Sequence, residues 1–216
     1  MGRLLISQDS HSWRKLAPLL NGHARVSLDP KAKKTIRDSH KILKQILHSG
    51  QQIYGVNTGF GQLSNVSISP DNLKQLQLNL IRSHACGVGK PLDLGVTRIT
   101  MVLKLMTWVK GYSGIRPQLA QLLVDMLNHD ILPVIPRQGS VGASGDLAPL
   151  AHMSRAMIGE GNVHFQERIM PAMLALKEAN LEPIVLEAKE GLSLINGTQV
   201  STALGIRALS ESQKLL

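Results

Sequence analysis

The sequence predicts a mainly α-helical fold, and three observations support that prediction. Leu, Ala, Met, Lys and Gln, which are good helix formers, are abundant. Helix-start signals followed by apolar residues at helical spacing recur along the chain, whereas strand signals are few. Hydrophobic residues make up 43% of the 216 residues and aromatic residues only 3%, so aliphatic side chains must fill the core. A chain of this length can bury one sizeable core or two smaller ones.

Helix-start signals and apolar spacing place the helices in order along the chain. The first predicted helix has Asp29 as its N-cap and Pro30 in its first position, and it ends at Gly50. Further helices are predicted to start at Ser69-Pro70, to span residues 94–110, to follow Pro117, to span residues 170–180 and to open over residues 197–216. Strands are predicted only for residues 53–56 and 184–186.

Composition and charge exclude several classes of protein. The net charge is +9, but the densest basic run, residues 31–34, opens a predicted helix and contains none of the aromatic residues that stack on bases. We therefore expect no nucleic-acid partner. The single cysteine, Cys86, allows no internal disulfide. The sequence contains neither a signal-peptide pattern nor an apolar run long enough to span a membrane, which predicts a cytoplasmic protein.

The histidines do not predict a metal site. Eight histidines occur, but no H-E-x-x-H pattern and no Cys/His cluster is present. His40 and His48 share a predicted helix face but lie two turns apart, which is too far for joint ligation. We expect neither a metal nor a nucleotide cofactor.

The glycine-rich segment 139–150, GSVGASGDLAPL, is the most informative part of the chain. Its glycines allow tight turns, and Asp146 can cap the helix that follows. A hydrolase nucleophile elbow does not fit, because Gly145 follows Ser144 directly. A phosphate-binding loop does not fit either, because no lysine follows Gly145.

Backbone cyclisation is the remaining chemical interpretation of this segment. The amide nitrogen of Gly145 would attack the carbonyl carbon of Ala143 and close a five-membered ring. Loss of one water from the ring and one from the Ser144 side chain would leave an exocyclic methylidene. Gly145 has no Cβ to obstruct its nitrogen, Ala143 is small, and Ser144 carries a hydroxyl that can leave. For the tripeptide alone, a glycine-rich turn at a helix start is the alternative.

Three further segments make the pattern specific. They are residues 54–61 (YGVNTGFG), 83–89 (SHACGVG) and 196–199 (NGTQ). In order and spacing, these segments and the Ala-Ser-Gly loop resemble the aromatic amino acid lyases. The resemblance implies a carbon–nitrogen lyase that eliminates ammonia from an amino acid. It also implies a 4-methylidene-imidazol-5-one formed autocatalytically from Ala143, Ser144 and Gly145, and assembly as a homotetramer.

The resemblance gives the motif residues their expected roles. Tyr54 is the candidate for the base that removes the substrate β-proton; since a free tyrosine has a pKa of about 10, it would need neighbouring positive charge or hydrogen-bond donors. Asn196 is expected to hold the substrate amine or the prosthetic carbonyl, and it also suits the N-cap of the last helix.

Ser83 and His84 are the candidates for substrate recognition. The Ser-His pair resembles the histidine-type lyases, in which an imidazole-to-imidazole hydrogen bond is the plausible physical basis of selection. It favours L-histidine as the substrate and urocanate as the product. A tyrosine ammonia-lyase or an aminomutase of the same fold is the alternative, and so is an inactive lyase-like fragment.

The resemblance also implies how the chain is organised. It implies the loop-rich N-terminal domain of the ammonia-lyase fold over residues 1–195, carrying the prosthetic group, and the start of a long helical bundle over residues 196–216. Members of the family are substantially longer, so we expect a truncated chain. The helix over residues 197–216 should then expose apolar surface.

Overall fold

Helices form most of the secondary structure, which confirms the predicted mainly α fold. The computed structural model describes residues 2–9, 11–22, 24–59, 68 and 70–215, except for the side chains of Pro70 and Asp71. The helices are α1 (Trp13–Leu16), α2 (Pro30–His48), α3 (Pro70–His84), α4 (Leu94–Trp108), α5 (Pro117–Asn128), α6 (Leu147–Met157), α7 (Ala172–Glu178), α8 (Glu190–Ile195) and α9 (Gln199–Gln213). A short 3₁₀ helix, Ala17–Leu20, follows α1.

The helix starts agree with the local sequence signals. Asp29 caps α2 by accepting a hydrogen bond from the backbone N–H of Lys31 at 2.8 Å, and Gly50 follows the helix with a positive φ of 71°. Pro117 opens α5, whose apolar stripe is buried. Ser69, the predicted start signal of α3, lies outside the described residues.

Small sheets lie at the edges of the helical core. Strands β1 (Gly2–Ile6) and β2 (Ala24–Leu28) pair in parallel, β3 (Val88–Pro91) pairs with β5 (Pro136–Gln138), and β4 (Leu132–Pro133), β6 (Asn162–Phe165) and β7 (Arg168–Pro171) form a three-stranded sheet. The predicted helix over 170–180 begins later than expected. Met170 pairs with Val163 in the β6–β7 hairpin, whose turn is formed by Gln166 and Glu167 at positive φ, so tertiary pairing outweighs helix propensity there.

Both predicted strands are wrong. Residues 54–57 form a turn, because the backbone N–H of Ile53 bonds to the Asn57 side chain at 2.8 Å instead of to a neighbouring strand. Residues 184–186 belong to no helix or strand. The backbone N–H of Ile184 makes a single bond to the carbonyl of Met157 at the end of α6. The apolar residues of both segments pack against the core individually, and neither segment is paired with a neighbouring strand in the described part of the chain.

Helix α4 lies at the centre of the core. It packs against α9, α5 and the 3₁₀ helix, and its residues are buried almost all round. Helix α9 buries Ala203 and Ile206 but leaves Leu204 and Leu209 exposed, as the sequence predicts for its apolar surface. Within the described residues, no helix is long and apolar enough to cross a membrane. The domain division at residues 195 and 196 stays a prediction.

Candidate active site

The Ala-Ser-Gly loop connects β5 to α6 and folds back tightly on itself. Isolated bridges join Gly142 to Gly145 and Ala143 to Gly145, so the backbone on either side of Ser144 is close together. Gly145 has a φ of +89°, and a Cβ at this position would lie 2.4 Å from the carbonyl oxygen of Gly197. Only glycine fits there. The opposite side of the loop is open, because Ala143 and Ser144 are exposed.

The side chain of Asp146 connects the Ala-Ser-Gly loop to the start of α9. This side chain is 1% exposed. One carboxylate oxygen accepts hydrogen bonds from the hydroxyls of Ser140 at 3.0 Å and Ser201 at 2.6 Å. The other accepts the backbone N–H of Ser201 at 2.8 Å. Asp146 occupies the N-cap position of α6 as predicted, but its side chain makes no capping bond there. It is turned instead to the first turn of α9.

The Ser83–His84 segment ends α3 beside this loop. His84 is half-buried, and its Nδ1 lies 2.8 Å from the carbonyl oxygen of Leu80 and 3.2 Å from the Ser83 hydroxyl. A Cβ on Gly139 would lie 2.9 Å from the Cα of Gly87. The two glycine-bearing segments are therefore in direct backbone contact.

His152 on α6 holds the segment after His84 in place. Its Nε2 accepts the backbone N–H of Gly87 at 3.0 Å. Burial, assisted by the charge of Arg155, lowers the pKa of His152. Both effects favour the neutral ring, which is the form that can accept this bond.

The 196–199 segment reaches the loop from the other side. Gly197 accepts the backbone N–H of Asp146 at 2.7 Å and forms a bridge with Gly145. Asn196 is exposed. It does not cap α9, whose N-cap is Thr198. Instead Asn196 ends α8, because its backbone N–H bonds to the carbonyl of Leu192 at 3.0 Å.

Lys104, which the sequence analysis missed, lies behind the 196–199 segment. It is 0% exposed, and its amino group donates to the carbonyls of Asn196 at 2.9 Å and Ser193 at 3.3 Å. Burial lowers the pKa of Lys104 to about 7, while the charge of Asp146 acts in the opposite direction. The signal was present in the sequence: Lys104 interrupts the apolar run of residues 101–109.

The Tyr54 turn is held together by its own hydrogen bonds. The Asn57 side chain bonds to the backbone of Ile53 and Gln51, each at 2.8 Å. The backbone N–H of Gly55 donates to the Thr58 hydroxyl at 3.3 Å. The Tyr54 side chain is 56% exposed. These internal bonds do not place the phenol against Ser144, and residues 60 and 61 of the motif lie outside the described residues.

Three of the four sequence segments thus converge. Residues 83–89, 139–146 and 196–199 meet through backbone contacts, with the exposed side of the Ala-Ser-Gly loop facing outward. Among the described residues, no group of three or more His, Cys, Asp or Glu side chains could hold a metal ion.

Comparison with known proteins decides the family. The family model for aromatic amino acid lyases matches residues 12–216. The chain belongs to the aromatic amino acid lyase family. A histidine ammonia-lyase from Myxococcus xanthus is 48% identical over 203 residues, which cover 94% of this chain and 40% of that protein.

Solved structures of aromatic amino acid lyases and related enzymes share the fold. The crystal structure of histidine ammonia-lyase from Trypanosoma cruzi has a TM-score of 0.91 and 37% identity, covering 99% of this chain and 42% of that one. The phenylalanine aminomutase of Pantoea agglomerans has a TM-score of 0.93 and 32% identity, covering 100% and 41%. The chain therefore spans about two fifths of the length of these relatives.

Proposed function

We propose that this chain is part of an ammonia-lyase that eliminates ammonia from L-histidine and forms urocanate in histidine degradation. The observation that supports this most strongly is the Ala143–Gly145 loop, which is folded back on itself and held from behind by Gly197 and Asp146. The 48% identity to a histidine ammonia-lyase supports the choice of reaction. The Ser83–His84 pair supports the choice of substrate.

The loop fits the 4-methylidene-imidazol-5-one that the family resemblance implies. The bridges of Gly145 to Ala143 and Gly142 bring together the backbone that ring closure must join. On the C-terminal side of Gly145, the backbone N–H of Asp146 is bound to the Gly197 carbonyl at 2.7 Å. Once formed, the group would supply an electrophilic methylidene carbon, which would make the amine nitrogen of the substrate a better leaving group.

His84 is suited to recognise an imidazole. A carbonyl oxygen only accepts hydrogen bonds, so the contact with Leu80 requires that Nδ1 of His84 carries the hydrogen. In the neutral ring, Nε2 is then an acceptor. Nε2 can therefore accept the N–H of a substrate imidazole. A phenylalanine ring has no hydrogen-bond donor, and a tyrosine ring carries its donor on a hydroxyl group outside the ring. Ser83 contacts Nδ1 at 3.2 Å and restrains the ring.

Tyr54 and Asn196 complete the proposed set of residues. Tyr54 removes the β-proton of the substrate, and its side chain is 56% exposed. Asn196 presents its side chain next to Gly197, which contacts Gly145, so that its amide can bind the substrate amine or the prosthetic carbonyl. These roles, like the homotetramer and the cytoplasmic location, are proposals; native mass spectrometry and cell fractionation would test the last two.

The intact mass of the purified chain tests the proposal first. We expect a mass two waters below the calculated value, localised by proteolysis to residues 143–145. The Ser144→Ala chain has no hydroxyl that can leave, so it is expected to lose at most the one water of ring closure from its own calculated mass. An unmodified parent chain would overturn the proposed electrophile. It would leave the chain as a lyase-like fragment without a reactive group.

A complementation assay tests the substrate. The chain is mixed or co-expressed with the C-terminal remainder of the Myxococcus xanthus relative and assayed with L-histidine and L-tyrosine. Urocanate formation from L-histidine supports the proposal. Turnover of L-tyrosine, or conversion of an α-amino acid to its β-isomer, would favour a tyrosine lyase or an aminomutase, as the fold shared with the Pantoea agglomerans enzyme allows.

A further inference from the structure

One buried cationic side chain has no part in the proposed reaction. Lys104 lies in the middle of α4, where its neighbours along the helix are buried and mostly apolar. Enclosing an amino group in such surroundings is costly, and the lowering of its pKa to about 7 reflects that cost. A methionine would fill a similar space without it. The hydrogen-bond donor is therefore the property that distinguishes lysine at this position.

The bonds of Lys104 go to the end of α8. A helix leaves its last carbonyls without partners inside the helix, and the amino group of Lys104 satisfies two of them, those of Ser193 and Asn196. The carbonyl of Ser193 also accepts the indole N–H of Trp108 at 3.3 Å. The shorter bond, at 2.9 Å, goes to Asn196.

The Asn196 carbonyl comes one residue before the Gly197 carbonyl, which contacts the Ala143–Gly145 loop. It belongs to the peptide group that joins Asn196 to Gly197. The carbonyl of Gly197 in turn accepts the Asp146 N–H at 2.7 Å and lies too close to Gly145 for any Cβ. The Cα of Gly197 belongs to both the 196–197 and the 197–198 peptide groups, so a displacement of the 196–197 peptide that shifts this Cα would also shift the Gly197 carbonyl that accepts the Asp146 N–H.

We propose that Lys104 is a positioning residue for the Ala143–Gly145 loop, because its amino group fixes the Asn196 carbonyl and thereby the Gly197 carbonyl that holds Gly145 and Asp146. The meaning of this role for catalysis rests on the proposed function. The mechanical link between Lys104 and the loop does not, and it can be tested separately.

Hydrogen exchange in the Ser144→Ala background tests the link in a chain that cannot form the methylidene. Lys104→Met removes the donor and keeps the chain length of the side chain. We expect the peptide containing the Asp146 N–H to exchange about tenfold faster, which corresponds to the loss of one hydrogen bond. An exchange rate equal to that of the parent would overturn the proposal.

Two matched variants separate positioning from general destabilisation. Leu105→Ala removes packing from the same buried helix and leaves the donor in place; it is expected to lower stability without selective exchange at Asp146. Lys104→Gln keeps a neutral donor and is expected to fall between Lys104 and Lys104→Met. If Leu105→Ala and Lys104→Met accelerate the Asp146 exchange equally, Lys104 is only structural.

Lys104→Met in a chain that keeps Ser144 tests whether the link between Lys104 and the loop affects formation of the prosthetic group. We expect Lys104→Met to slow the loss of two waters from the intact mass about tenfold relative to the parent, and Leu105→Ala to leave that rate nearly unchanged. A parent chain that never loses water would refute the proposed electrophile, whereas the exchange experiment would still decide the role of Lys104.

Discussion

The Ala-Ser-Gly loop and the Tyr54 turn, two glycine-bearing segments of the same proposed site, are held in different ways. The loop is anchored by residues distant in sequence, since Asp146 bonds to Ser201 and to Gly197. The turn is stabilised by residues nearer in sequence, by Asn57 and Thr58 within it and by the backbone N–H of Ile68, which bonds to the Asn57 carbonyl at 2.9 Å. The proposed ring closure would benefit from support by the core, because the two reacting backbone groups must be held together. The proposed base, Tyr54, lies in a segment that is held by residues close in sequence.

The largest effect is expected from a methyl group at the anchored end of the loop. Gly145→Ala places a Cβ 2.4 Å from the Gly197 carbonyl at a φ of +89°, so we expect no loss of water and a free energy of unfolding lower by more than about 2 kcal/mol. Intact mass and urea unfolding measure both quantities.

Gly142→Ala is the matched control for that substitution. Gly142 also has a positive φ, +74°, but nothing lies within 4 Å of an added Cβ. We expect a loss of only about 1 kcal/mol. If the two variants were equally destabilised, the positive φ alone would explain why position 145 requires glycine. The contact with Gly197 would then contribute nothing to that requirement.

The second largest effect is expected from the buried carboxylate of Asp146. Asp146→Asn keeps the shape of the side chain but loses charge-assisted bonds to Ser140 and Ser201, which predicts a loss of about 2–3 kcal/mol in urea unfolding. Double variants with Ser201→Ala should lose less than the sum of the single changes, because the two residues share one interaction. Simple additivity would contradict the proposed anchor.

The pH dependence of stability should report Lys104. The folded chain releases this proton near pH 7, whereas the unfolded chain releases it near 10.5. Between these values the unfolded state binds more protons, so stability rises with pH, by at most about 1.4 kcal/mol per pH unit; below and above that window the contribution is constant. Urea unfolding at pH 7 and pH 9 should show the rise in the parent chain and its loss in Lys104→Met.

The smallest effect on stability is expected in the Tyr54 turn. Tyr54→Phe removes one hydroxyl from a side chain that is 56% exposed, so the free energy of unfolding should change by less than about 0.5 kcal/mol. Turnover in the complemented assembly should fall by at least about a hundredfold if the phenol is the base. A stable variant with full turnover would remove Tyr54 from the mechanism.

The sequence predicted what depends on neighbouring residues. Asp29 and Pro30 start α2 and Gly50 follows its end, as local capping rules require. The order of four segments predicted the family, whereas the ring closure inferred from the residue types of the loop stays a prediction. The predicted strands failed because an apolar segment does not reveal whether a partner strand exists; the backbone N–H of Ile53 bonds to the Asn57 side chain instead. The link of Lys104 to Ser193 and Asn196 and the link of Asp146 to Ser201 were missed because these partners lie 55 or more residues away.

The distance along the chain between Asp146 and its anchors affects when the protein can mature. Gly197 and Ser201 must be synthesised and folded into place before the loop is held, so the proposed ring closure would follow the formation of the tertiary structure. The lost water molecules would then form a permanent chemical record of correct folding. In a mixed preparation, intact mass alone would distinguish chains that had once reached the native state from chains that never had.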